Sequence, residues 1–183
     1  MKQGAVALAM LVAGLAYPYA VHLGLQHGGV RWIAPLLAAL WLARALTAPA
    51  SQPGGRVLPL LALGFCAVLA FTGGEAWLRA YPVLINASLC AVFGASLLRG
   101  MPVIERLARL RDPALPPAGV RYTRCVTRVW TLFFAANGLV AAALAVWAPL
   151  AWWTLYNGGI SYLLMGALLA GEWLVRPTRG KAA

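Results

Sequence analysis

Acidic residues, histidine and cysteine are all scarce in this sequence, and each shortage argues against a class of protein. Only four residues are Asp or Glu and two are His, so few side chains could hold a metal ion, and no metal site or cofactor is expected. Cys66, Cys90 and Cys125 show no paired spacing, which is typical of small core residues rather than a disulfide or metal set. No nucleophile accompanied by its base and no glycine-rich phosphate loop is evident. The sequence thus leans towards a non-catalytic protein.

Charge of either sign is also rare. Charged residues make up 10% and hydrophobic residues 62% of the 183 residues, whereas roughly a quarter of a soluble protein is charged. Lipid is therefore the expected solvent for most of the chain, and the phospholipid bilayer its first partner. The net charge of +11 does not indicate nucleic-acid binding, because there is no basic domain to carry it and basic loops are usual in membrane proteins.

What the sequence does contain is a series of uncharged apolar runs. About 20 such residues cross a bilayer as a helix. The runs predict an all-α fold with six transmembrane helices in a single integral membrane domain, 1–183. They lie at residues 4–25, 32–48, 57–73, 82–98, 129–147 and 154–174. A cleaved signal peptide is the alternative interpretation of the first run.

Basic residues fall almost entirely on one side of this arrangement. With alternating spans, Arg31 and Arg79 lie on one side and the other thirteen of the fifteen Lys and Arg residues lie opposite. Since basic loops resist translocation, both termini are predicted to be cytoplasmic. Aromatic residues of an interface belt are expected on the outer side. These are Trp32, Trp77, Tyr81, Trp147, Trp152 and Trp153.

The stretch 99–128 is the long polar segment and is predicted to be a basic cytoplasmic loop. Its first half, 101–111, has helical periodicity: Ile104, Leu107 and Leu110 form one face, and Glu105 and Arg109 are spaced to pair. We expect a short amphipathic helix on the inner leaflet. An ordinary basic loop that happens to be helical fits equally well.

The arginines of this loop are its candidate binding residues for lipids or acidic protein partners, because a cluster of cations attracts negatively charged headgroups and surfaces. They are Arg99, Arg106, Arg109, Arg111, Arg121, Arg124 and Arg128. At the same inner face Arg128 and Glu172 lie near predicted span ends, where an ion pair between them would neutralise the carboxylate.

Three asparagines, Asn86, Asn137 and Asn157, lie within the apolar runs, and an amide facing hydrocarbon is costly. Small residues surround them, so spans four to six are expected to form the packed centre of the fold. Hydrogen bonding between helices is the simpler interpretation of these amides. The alternative is a polar pocket, to which Tyr17 and His22 of the first span would contribute at similar depth.

Four stretches in the second half of the chain carry a family resemblance. They are Tyr-Pro-Val-Leu-Ile-Asn-Ala (81–87), Pro-Val-Ile-Glu-Arg-Leu-Ala-Arg (102–109), Arg-Tyr-Thr-Arg-Cys-Val-Thr-Arg-Val-Trp-Thr-Leu-Phe-Phe-Ala-Ala-Asn-Gly (121–138) and Trp-Trp-Thr-Leu-Tyr-Asn-Gly (152–158). Together they resemble an uncharacterised family of proteobacterial inner-membrane proteins encoded beside aryl-polyene or xanthomonadin-type lipid genes, some labelled "ketosynthase". The layout is more distantly similar to intracellular septation protein A.

This resemblance implies a non-catalytic inner-membrane component of cell-envelope or aryl-polyene-type lipid biogenesis. In that role the basic loop would dock acyl carrier proteins or other envelope-synthesis proteins. A small transporter or flippase, and a septation-related envelope protein, are the alternatives.

Overall fold

The computed structural model describes residues 2–27, 33–47, 57–72 and 75–175, and the regular elements in these ranges are all helical. We number the helices in chain order. They are α1 (Lys2–His27), α2 (Ile33–Thr47), α3 (Val57–Thr72), α4 (Glu75–Leu98), α5 (Val103–Arg109), α6 (Pro117–Trp147), α7 (Leu150–Leu155) and α8 (Ser161–Val175), with a π-turn, Tyr156–Ile160, between α7 and α8.

Among the residues that the structure describes, three helices are long and apolar enough to cross a membrane: Glu75–Leu98, Pro117–Trp147 and the continuous helix Leu150–Val175. The all-helical fold is confirmed for the described ranges, and these three helices are compatible with the predicted membrane protein. Six spans stay a prediction, because α2 and α3 have 15 and 16 residues, fewer than the roughly 20 that a span needs.

Two helices begin well before the predicted positions. The fourth run was expected to start at residue 82, but α4 begins at Glu75 and carries Pro82 inside it. The fifth was expected at 129, but α6 begins at Pro117, so residues 117–128 of the predicted loop are helical. The helix α6 can start at Pro117 because proline suits the first turn of a helix, where its missing N–H costs nothing. The sequence prediction placed the start later because charged residues end a hydrophobic run without ending a helix.

The most extensive helix contact joins α4 and α6. Gly138 makes it possible, because a Cβ added there would stand 3.1 Å from Cβ of Asn86, and Ala141 is fully buried. Small residues thus bring two backbones close, as predicted. A Cβ added at Gly166, by contrast, would meet no atom of the described part of the chain within 4 Å outside its own helix backbone, so the small face predicted for the last span is not packed there.

The main apolar core draws on the first half of the chain more than the sequence suggested. It joins α1, α2, α3, α4 and α7 through Tyr17, Val21, Ile33, Leu37, Cys66, Leu78, Tyr81 and Trp153. A second cluster of Val126, Trp130 and Phe134 lies further along α6. Spans four to six are therefore not the whole packed centre, since α1 to α3 bury aromatic and branched side chains that hydropathy does not distinguish from lipid-facing ones.

The predicted aromatic belt divides into two groups. Trp77, Trp147 and Trp152 are exposed, as side chains at a membrane interface are. Tyr81 and Trp153 are buried in the core instead, because the helix face on which each lies turns inward. Trp32 lies outside the described residues.

Candidate functional site

A cavity of about 400 Å³ opens inside the helix bundle, between α1, α2, α4, α6, the π-turn and α8. Its wall is largely apolar, with leucine, isoleucine, proline, phenylalanine and methionine side chains. The polar and aromatic groups on the wall are Tyr17, Trp41, Tyr81, Asn86, Asn137, Asn157, Ser161 and Tyr162. Four of the five residues proposed for a pocket from the sequence thus meet at one cavity.

Asn86 and Asn137 join α4 to α6 at its floor. The Asn137 amide donates to Oδ1 of Asn86 at 3.0 Å, and the Tyr156 hydroxyl donates to Oδ1 of Asn137 at 2.9 Å. The Asn86 amide in turn donates to the Pro82 carbonyl at 2.8 Å. These two asparagines therefore serve as hydrogen-bonding links between helices while also facing the cavity.

Tyr17 and Tyr81 form the polar end of the cavity nearest α3. Pro82 has no N–H to donate to the carbonyl of Leu78 one turn earlier, and the hydroxyl of Tyr17 donates to that carbonyl at 2.6 Å. Trp41 Nε1 donates to the hydroxyl of Tyr81 at 2.8 Å. These bonds connect α1, α2 and α4 through polar groups whose hydrogen bonds hydrocarbon could not satisfy.

The π-turn Tyr156–Ile160 places Asn157 on the cavity wall. Two consecutive glycines, Gly158 and Gly159, lie within it and give the backbone the freedom to widen by one residue. The Asn157 amide donates to the Trp153 carbonyl at 2.9 Å, and the Ser161 hydroxyl donates to the Asn157 carbonyl at 3.3 Å. Such π-bulges inside α-helices occur often at functional sites.

Gly158 also allows α1 to approach the π-turn. A Cβ added at Gly158 would stand 2.7 Å from Cε2 of Tyr19, whose hydroxyl donates to the Gly158 carbonyl at 3.3 Å. At Gly159 the nearest atom is the Tyr19 hydroxyl oxygen, at 3.9 Å. The two glycines are adjacent but differ in what surrounds them.

We expect Gly158→Ala to lower the thermal stability of the purified protein relative to Gly159→Ala, by about 1 kcal/mol, because Tyr19 must swing aside. Gly159→Ala should be neutral or slightly stabilising, since alanine favours the helix. In a Tyr19→Ala background the two glycine variants should be equally stable, because the ring that the added methyl group would meet is gone. Equal melting temperatures for the two single variants would contradict the contact.

His22 is the one proposed pocket residue that the structure does not place on the cavity wall. Its Nδ1 lies 3.3 Å from Oγ1 of Thr154, and its Nε2 lies 3.1 Å from Nε2 of Gln26. His22 is more than a helical turn from Tyr17 towards the end of α1, which carries it beyond the cavity. It links α1 to α7 instead.

At the opposite end of the bundle, α5 is fixed to the helices on either side. The backbone N–H of Val103 donates to Oγ of Ser96 at 3.1 Å. Glu105, 6% exposed, pairs with Arg109 at 2.9 Å, and Arg109 also donates to the Pro113 carbonyl. The predicted Glu105–Arg109 pair is confirmed, and it holds the helix together rather than facing solvent.

The face that α5 buries differs from the predicted one. Val103 and Glu105 are buried, whereas Leu107 and Leu110 are 47% and 77% exposed. The reason is that α5 lies against α6, and this contact takes the face carrying Val103. The outward leucines remain on the surface of the helix.

The seven candidate arginines of 99–128 are not equivalent. Arg99, Arg111, Arg121, Arg124 and Arg128 are exposed, while Arg106 and Arg109 are half-buried. Arg124 donates to the Leu97 carbonyl at 3.2 Å, so it caps the end of α4, and Arg109 is bound as described above. Arg99, Arg106, Arg111, Arg121 and Arg128 make up what we call the basic face.

The structure does not pair Arg128 with Glu172. The Tyr122 hydroxyl instead donates to the Glu172 carboxylate at 3.2 Å and to its backbone carbonyl at 3.0 Å. Arg128 lies six residues after Tyr122, about 120° further around α6, on a face that does not meet α8. The sequence prediction placed the right two helices together but chose the wrong residue.

Arg79 has a role that the sequence did not reveal. Its guanidinium donates to the carbonyls of Ala148 at 2.8 Å and Ala145 at 3.4 Å, where the end of α6 presents unpaired acceptors and favours a cation. Glu75 lies 3.7 Å from Nε. One sequence signal could have indicated this role. Arg79 lies just before the fourth apolar run, on the same predicted side of the membrane as the end of α6.

Trp41, Ser161 and Tyr162 are cavity residues that sequence reasoning also missed, because nothing distinguishes them from ordinary residues of an apolar helix. In the ranges that the structure describes, no group of three or more histidine, cysteine or acidic side chains could hold a metal ion. Comparison with known proteins adds no identity: no family model, no curated protein and no solved structure matches the chain.

Proposed function

We propose that this protein is a non-catalytic component of the bacterial inner membrane that holds a lipid-like molecule in its cavity and serves cell-envelope or aryl-polyene-type lipid biogenesis. The observation that carries the proposal is the cavity of about 400 Å³, apolar for most of its wall and lined by the three intramembrane asparagines. Ligand sites are typically apolar hollows of roughly 300–1,000 Å³ with a few placed polar groups.

The proposed topology has six spans with both termini in the cytoplasm. The length of α1 supports it, since 26 residues extend about 39 Å, more than the roughly 30 Å of hydrocarbon. The position of the basic face supports the orientation. The first turns of α6 add length beyond what a span requires, so they can extend past the hydrocarbon and carry arginines of the basic face into the cytoplasm. Arg79, on the proposed outer side, is held by α6 and does not weaken the asymmetry.

The basic face is proposed to dock acidic carrier proteins or lipid headgroups beside the bundle. It lies at the end of α6 where α5 exposes Leu107 and Leu110, and exposed leucines next to arginines suit the inner leaflet. The exposed arginines are available for such contacts, whereas Arg109 and Arg124 hold the local fold.

The proposal is tested by deleting the gene and extracting lipids and pigments, with complementation by two double variants. Arg106→Glu with Arg111→Glu reverses charge on the basic face and is expected to reduce product several-fold while the protein accumulates normally in the membrane. The matched control, Arg106→Lys with Arg111→Lys, keeps the charge and should complement fully.

Two outcomes would count against the proposal. Unchanged lipids and pigments in the deletion strain would overturn the biosynthetic role, and filamentous cells in their place would indicate the septation-related alternative. Full complementation by the charge-reversed variant would overturn the docking role of the basic face.

A small transporter or flippase is a second candidate because of the π-turn. Transporters place substrates at broken helices within the membrane, and the π-turn brings Asn157 to the cavity wall in the first half of the helix Leu150–Val175. Accumulation of a lipid intermediate on one side of the membrane in the deletion strain would favour this role over docking.

A further inference from the structure

Among the described residues that line the cavity there is no carboxylate, imidazole, amine or guanidinium side chain. Of the residues that line it, those with polar side chains are asparagine, serine, tyrosine and tryptophan, and the remainder are apolar. Moving an ionised group away from water without a partner of opposite charge is strongly unfavourable. Arg79, the basic residue of α4, does not supply such a charge, because its guanidinium donates to carbonyls at the end of α6.

The polar groups on the cavity wall also differ in how many of their hydrogen bonds are already made within the protein. Asn86 and Asn137 bond to one another, to Pro82 and to Tyr156. Asn157 uses one amide N–H on the Trp153 carbonyl. Across the described ranges no protein hydrogen bond is made by its Oδ1 or by the hydroxyl of Tyr162, and both residues lie on the wall.

Two further features lie at the same end of the cavity. The Tyr162 hydroxyl lies 3.4 Å from where a Cβ on Gly14 would stand, so it reaches across towards α1. Pro18 has no N–H to offer the carbonyl of Gly14, which is also a wall residue. Hydrogen-bonding capacity is therefore concentrated around Asn157, Tyr162 and Gly14, away from the Asn86–Asn137 link.

Size restricts the ligand as well. A volume of about 400 Å³ lies near the small end of the roughly 300–1,000 Å³ that ligand sites span. One ring with a short chain fits within it.

We propose that the cavity binds a single uncharged amphiphile, a ring or one hydrocarbon chain that ends in a hydroxyl or carbonyl group, with that group at Asn157 and Tyr162, and that it rejects ionised phosphate headgroups. This inference rests on the proposed function, in which the cavity holds a lipid-like molecule. It adds the chemical class of the ligand and the position of its polar end.

The test uses three probes that share one apolar part: para-hexylphenol, hexylbenzene and para-hexylphenyl phosphate. Binding is measured to the full chain in nanodiscs, with empty nanodiscs as the reference for partitioning into lipid. We expect para-hexylphenol to bind roughly five- to tenfold more tightly than hexylbenzene, the worth of about one hydrogen bond. The phosphate should show no binding above the reference.

Variants locate the polar end. Asn157→Leu with Tyr162→Phe, which keep the size of the side chains, should make para-hexylphenol bind no better than hexylbenzene while hexylbenzene binding is retained. The matched control, Leu163→Phe on the exposed surface of α8, should leave all three affinities unchanged. The comparison among probes on the unaltered protein does not depend on whether a variant folds.

The outcomes separate this inference from the proposed function. Binding of the phosphate as tightly as the phenol, or equal binding of phenol and hexylbenzene, would overturn the ligand class while leaving a lipid-binding cavity intact. Binding of none of the probes above the empty-nanodisc reference would remove the lipid-binding role itself.

Discussion

Replacing Trp153 with alanine is expected to destabilise the protein by about 3–5 kcal/mol, the usual cost of emptying a packed core position of an indole. Trp153 is 0% exposed and lies edge-on to Tyr17, with ring centroids 6.4 Å apart. Its Nε1 donates to the Arg79 carbonyl at 3.1 Å. The variant therefore loses packing between α1, α4 and α7 together with the hydrogen bond that joins α7 to α4.

The neighbouring Trp152 provides the matched control. It is 63% exposed, so in Trp152→Ala the lost contacts are with lipid or detergent, which refill the space. Unfolding in detergent followed by circular dichroism should show a large loss for Trp153→Ala and at most about 0.5 kcal/mol for Trp152→Ala. Equal losses would place both indoles at the interface belt, as the sequence first suggested.

The second large effect is expected at Tyr17. Tyr17→Phe removes the donor to the Leu78 carbonyl, a buried acceptor that Pro82 cannot satisfy. Leaving it unpaired should cost about 1–2 kcal/mol, between the values for buried groups in soluble and in membrane proteins. Thermal unfolding of the purified variant measures the loss.

Pro82→Ala tests the cause. Alanine supplies the missing N–H to Leu78, so Tyr17→Phe should cost less than about 0.5 kcal/mol when combined with Pro82→Ala. Tyr19→Phe, two residues along α1, removes an exposed hydroxyl bond to Gly158 and should be insensitive to Pro82. If Tyr17→Phe costs the same with and without Pro82, the hydroxyl does not substitute for the missing helical bond.

Short-range features of the chain made several parts of this molecule predictable. Apolar composition indicated helices in lipid, because a backbone there must satisfy its own hydrogen bonds. Asparagines inside apolar runs indicated inward-facing side chains, and Asn86, Asn137 and Asn157 do meet at one cavity. The i,i+4 spacing of Glu105 and Arg109 indicated their pair.

Helix boundaries and partners depended on more than local pattern. A hydropathy run ends where charges begin, but α6 continues back through arginines to Pro117, since charged side chains can remain helical outside the bilayer. Tyr122 rather than Arg128 meets Glu172, because which face of α6 turns to α8 is set by the packing of both helices.

The sequence by itself determined an all-helical fold with long apolar helices compatible with a membrane, a basic end and polar residues turned inward, because those properties follow from composition and from the cost of polar groups in hydrocarbon. Only the tertiary structure decided which aromatic residues are core and which are interface, that the last helix widens at Tyr156–Ile160, and that a cavity lies beside it. Lipid is as apolar as a protein core, so hydrophobicity cannot tell a buried Trp153 from an exposed Trp152.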